Sequence, residues 1–177
     1  MKIKEIKEKN KILISLSNPE WQNILNLRLE VQDDFHDNES LSLQTYNKIL
    51  DWKLHKQKSQ IEKIKNTSPA SLIKVITHCY YKIDHPDSEM KTRIKMQVLL
   101  SIPWIGIGIS SAIMALHEPQ IYGTIDFRSW FVLFHKDKKT FSGNDYLRYL
   151  RSIRELADKV ECDVQEIDYI LWKQYEA

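Results

Sequence analysis

The chain has few of the residues that cross-link or punctuate a fold. Cysteine occurs twice in 177 residues, at Cys79 and Cys162, far apart and in no paired motif. Two such thiols fit a reducing compartment and cannot hold a metal by themselves. They also fall short of the four thiolates that an iron–sulfur cluster requires. The six histidines are scattered with no metal-binding spacing. HExxH, a phosphate-binding glycine loop and GxSxG are absent, so nothing calls for a metal or a cofactor. Charge of one sign is lacking too: 26 Lys and Arg stand against 24 Asp and Glu, a net of +2. A balance this even does not itself demand a nucleic-acid partner; clustering of the cations would matter more. The longest apolar run, Val98 to Leu116, is broken by Pro103, two glycines and serines, and does not read as a membrane span. The first eleven residues, MKIKEIKEKNK, lack the apolar centre of a signal peptide. A cytoplasmic protein without a membrane partner is the expectation.

What remains is globular in composition, 42% hydrophobic and 28% charged, at a length suited to one domain. Residues 1–16 read as a charged arm and 17–177 as a single helical domain. No segment alternates like a strand for long, and there is no repeat or linker. Apolar residues recur at threes and fours instead. Ser17-Asn18-Pro19-Glu20 starts a helix carrying Trp21, Ile24 and Val31 on one stripe. Ser42 caps a long helix, Leu43 to about Lys65, with Ile49, Leu50, Trp52 and Leu54 on its apolar side. Lys53, His55, Lys56, Lys58, Lys63 and Lys65 make its basic side, which either faces phosphate or is simply solvated. Further helices follow after Pro69, from Ser88 to Ser101, from Ile109 to Leu116, and after Asp126, Ser142 and Asp163. The expected fold class is all-α, one globular domain of about eight helices.

The stretch Leu99 to Phe134 organises the rest. It holds two of the four glycines, Gly106 and Gly108, between an apolar helix ending at Pro103 and a helix of small and apolar residues. Glycine permits a tight turn and close approach of a partner. Helix starts present unpaired N–H groups that suit a phosphate. An ordinary helix–helix turn also favours glycine. A short loop then delivers one acid, Asp126, to the start of the next helix. Asp is a favoured cap at such a position in any protein.

These residues resemble the helix-hairpin-helix DNA glycosylase superfamily: helix, Ile-Pro-x-Ile-Gly, helix, short loop, Asp. The phrase SSAIMALHEPQIYGTIDFRSW is similar to that of small bacterial proteins with the 8-oxoguanine glycosylase fold, and the likeness extends from Trp52-Lys53 to Asp168-x-x-Leu-Trp172. The chain departs from the pattern at two positions. Trp104 stands where the family has its first hairpin glycine, and Gly108 aligns with the nucleophilic lysine of the bifunctional members.

The resemblance implies a helix-hairpin-helix, glycosylase-like fold and an enzyme that flips a damaged base, such as an oxidised purine, out of DNA and cuts its bond to the sugar. Positive charge builds on the sugar in that step, and the resemblance assigns Asp126 as the carboxylate that stabilises it and orients water. Gly106, Ile107 and Gly108, with Ser110 at the start of the helix that follows, would hold DNA phosphate, joined by Lys53 and Arg128. Trp104 and Trp130 would line the base pocket, or pack in the core as most tryptophans at helical spacing do. Gly108 supplies no amine for lyase chemistry, so a monofunctional enzyme is expected, with Lys53 as a distant substitute. DNA is then the partner, a monomer the expected state, and no cofactor or metal is needed. Two alternatives stand beside this reading: a DNA-binding module without catalysis, and a structural or interaction protein that keeps the fold alone.

Overall fold

The computed structural model describes residues 18–176, and the expected charged arm, residues 1–16, lies outside them. Asn18 opens the first helix, α1 (Pro19–Asn38), by accepting the N–H groups of Glu20 and Trp21 on its side chain. Ser42 caps α2 (Leu43–Lys53). Then come α3 (Lys58–Thr67), α4 (Ala70–Lys82), α5 (Ser88–Leu99), α6 (Ile107–His117), α7 (Phe127–Phe134), α8 (Gly143–Val160) and α9 (Val164–Glu176). The described residues thus form nine helices and no strand.

The one change from the expected elements lies between Leu43 and Lys65. The chain breaks at Leu54–Gln57 into α2 and α3. Leu54, Ile61 and Ile64 are all buried, so the apolar spacing runs straight across the break. The break carries Trp52 to Gln57 into the wall of a cavity. A continuous helix would point several of those residues elsewhere.

The core is centred on α6. From Ile109 to Leu116 every residue of this helix is buried, as a helix apolar all round must be. Helices α1, α2, α5 and α9 pack against it. Outside it, α7 lies on α9 and α9 on α8. This places the start of α6, the loop after it and the inner face of α9 beside one another.

Candidate active site

Three pins hold the end of the loop that runs from Glu118 to Ile125. The Tyr146 hydroxyl donates to the Gly123 carbonyl at 3.1 Å. The Thr124 N–H donates to Asp168 Oδ2 at 2.9 Å. The Ile125 N–H donates to Ser111 Oγ at 3.2 Å, and that hydroxyl donates to the Gly108 carbonyl at 2.9 Å. Gly123 is closely enclosed: a Cβ on it would come 2.5 Å from Ile153 Cδ1 and 3.2 Å from Asp168 Cβ, and both neighbours would have to shift.

The next residue, Asp126, is therefore set firmly. It caps α7 with Oδ1, which accepts the N–H groups of Arg128 at 2.9 Å and Ser129 at 3.0 Å. Its Oδ2 lies 3.9 Å from Lys53 Nζ, and both side chains are mostly buried, 22% and 16% exposed. Lys53 reaches this place past Gly108, where an added Cβ would lie 3.9 Å from its Cε. A side chain from the end of α2 thus occupies the space in front of α6.

Ser129 joins Asp126 to a second acid. Its N–H goes to Asp126, and its hydroxyl donates to Asp168 Oδ1 at 3.1 Å. Tyr149 also donates to Asp168 Oδ1. Burial pushes the Asp168 carboxyl up to about 7, against the hydrogen bond from Tyr149, and the charge of Asp126 adds to the rise.

Asp126, Lys53 and Asp168 all line one cavity of about 560 Å³, a volume usual for a small-molecule site. Gly106, Ile107 and Gly108 form one part of its wall, and Trp52, Phe141, Tyr169 and Trp172 supply aromatic surface. Lys53, Lys56 and Lys139 make the wall rich in cations. Arg128 belongs to it as well, with its guanidinium 5.1 Å from the Trp172 ring centre. No side chain caps α6, because its capping residue is Gly106, so its first N–H groups have no side-chain acceptor.

Three expected site residues lie elsewhere. Ser110 is fully buried on α6, so its hydroxyl cannot face a nucleic acid. Trp130, expected in a base pocket, is 3% exposed and packs its ring 4.3 Å from Phe134 and 5.4 Å from Phe141, in the core. Trp104 is not in the cavity wall either, and its indole is 56% exposed on the turn before α6.

Gln165 and the arginine that holds it were missed. Gln165 is 3% exposed and lines the cavity. Arg28 donates to its Oε1 from Nε at 2.9 Å and from Nη2 at 2.6 Å, and Arg28 is itself held by Asp163 at 3.0 Å. The amide orientation is fixed by those two donors, and its Nε2 is buried without a protein partner. An orphaned donor of this kind is costly unless something accepts from it. The signal was present as a helical stripe: Gln165, Asp168, Tyr169 and Trp172 share one face of α9, two polar residues among apolar ones.

No family model, no curated protein and no solved structure matches this chain.

Proposed function

We propose that this protein is a DNA glycosylase of the helix-hairpin-helix type, cutting the bond between a flipped, damaged base and its sugar. The observation that carries the reading is Asp126, pinned by one carboxylate oxygen in the wall of an aromatic-lined cavity, with the other oxygen 3.9 Å from Lys53 Nζ. A fixed carboxylate there suits a transition state in which positive charge develops on a sugar. The turn from α5 to α6, with Pro103 and Gly106, supports the hairpin assignment. The cations beside Gly106 suit the phosphate backbone. Water attacks the sugar carbon in this reading, and Asp126 orients it.

The position of Lys53 favours a second reading of the same step. The Lys53 amine would bond to the sugar carbon as the bond to the base breaks, the base leaving with a proton from water and the amine proton passing to Asp126. Asp126 would return that proton to the ring oxygen as the bond from the sugar carbon to that oxygen breaks, and the open-chain imine so formed is reduced by borohydride to a stable protein–DNA link.

One experiment tests both. Duplex oligonucleotides carrying a panel of damaged bases are incubated with wild type, Asp126→Asn and Lys53→Ala, then treated with alkali to reveal lost bases, or with borohydride. Base release by wild type and its loss by at least about a hundredfold in Asp126→Asn is the expected result. A borohydride link that Lys53→Ala abolishes selects the amine, and release without a link selects water. Salt-sensitive binding with no release from any substrate would leave a DNA-binding module, and no binding would leave the fold alone.

A further inference from the structure

Four residues other than glycine have a positive φ among those described: Glu39, Trp104, His135 and Glu161. Three of them end helices. Glu39, His135 and Glu161 each return their N–H to the last turn, on Phe35, Phe131 and Ala157. That bond offsets the cost of the left-handed backbone. Trp104 ends no helix. Its φ is 64°, in the turn between α5 and α6, and a bulky residue there is strained.

The usual return for holding a large aromatic ring in place is burial, and Trp104 does not receive it. Its neighbours Ile102 and Ile105 go into the core, while the indole stays 56% exposed. One face of the ring is covered by Lys63, whose Nζ is 3.3 Å from the ring centre. Two residues on, a Cβ added to Gly106 would meet nothing within 4 Å, so the surface beside the ring is open. A strained, exposed tryptophan backed by a cation is costly to the free protein and is organised to meet something outside it. The charge around it selects the partner: Lys63 on the ring, and Lys53 and Lys56 in the cavity wall that Gly106 shares. This surface suits an anionic polymer that carries flat rings.

We infer that Trp104 is a stacking platform for a base that has left the helical stack of the bound DNA strand, with Lys63 bracing the indole from behind. The inference rests on the glycosylase reading and adds a preference to it. An exposed indole gains a stacking contact only where a base is unstacked, so the protein favours single-stranded or interrupted DNA over an intact duplex.

The test is fluorescence anisotropy with three labelled probes of one sequence: an intact duplex, the duplex with a one-nucleotide bulge, and the single strand. Wild type is compared with Trp104→Gly and Trp104→Phe, and the thermal midpoint of each is recorded. Glycine relieves the strained backbone while removing the ring. We expect wild type to prefer the bulged and single-stranded probes. Trp104→Gly should bind those two about tenfold more weakly, bind the intact duplex unchanged, and melt no lower than the wild type. Trp104→Phe should retain the preference. Equal binding of the three probes by wild type, or the same affinities in Trp104→Gly as in wild type, overturns the platform and leaves the glycosylase reading standing. A loss on all three probes together with a lower thermal midpoint overturns it as well, by making Trp104 structural. Failure of wild type to bind any probe removes both.

Discussion

Asp126 has one oxygen committed to the backbone of α7 and the other turned to Lys53. The two jobs are separable by mutation. Asparagine caps a helix nearly as well as aspartate, whereas alanine costs about 1 kcal/mol. Asp126→Asn should therefore keep the thermal midpoint of the wild type and, on the proposed reading, lose base release, while Asp126→Ala should lower both. Asp168 gives a different prediction. Its carboxyl titrates at about 7 in the folded protein because it is buried, and at its ordinary value, near 4, in the unfolded chain. Between pH 4 and 7 the folded protein keeps a proton that the unfolded chain has released. Stability contributed at low pH is thus lost as pH rises through this window, and the loss is complete above 7. His117 works the other way: burial holds it down to about 4, so its contribution is lost as pH falls from about 6.5 toward 4. Urea unfolding of wild type and Asp168→Asn at several pH values isolates the first term. The wild type should lose on the order of a few kcal/mol more than the variant between pH 4 and 7.5. A constant difference between the two curves would show that Asp168 does not titrate as stated.

At the scale of elements, the loop from Glu118 to Ile125 decides where the acid sits, and Gly123 is its tightest point. Gly123→Ala forces a Cβ against Ile153 and Asp168. Overpacking of this kind should cost about 1–3 kcal/mol in thermal or urea denaturation. It should also weaken base release, because Thr124 and Ile125 carry the displacement to Asp126. The elements themselves were largely legible in the sequence. Asn18, Ser42 and Ser142 cap the helices they were expected to cap, because a cap is a local bond between neighbours in the chain. The break at Leu54–Gln57 was not legible. It contains neither Gly nor Pro, and the apolar period passes through it undisturbed, so only the packing of the whole chain reveals it. Arg28 and Gln165 were missed for a related reason. They are 137 residues apart in the chain, and no spacing rule links them.

At the scale of the molecule, the cavity wall is drawn from five of the nine described helices and the turns beside them. Glu20 and Ile24 come from α1, the cationic turn from between α2 and α3, Gly106 to Gly108 from the start of α6, and Gln165 to Trp172 from α9. Arg28 fastens the first of these helices to the last through Gln165 and Asp163. Arg28→Ala strips both donors from Gln165 and leaves Asp163 alone, and should cost about 2 kcal/mol of stability in thermal denaturation. Arg28→Lys should recover only part, since an ammonium cannot make the two-pronged contact. The same arrangement has a consequence for how the protein is made. On the ribosome, the turn before α6 and Asp126 emerge well before Gln165 and Trp172. A nascent chain carries the acid while one side of its chamber is still unsynthesised. On the proposed reading, the power to cut bases from DNA is withheld until translation has passed α9, and a chain stalled before that point is harmless to the genome.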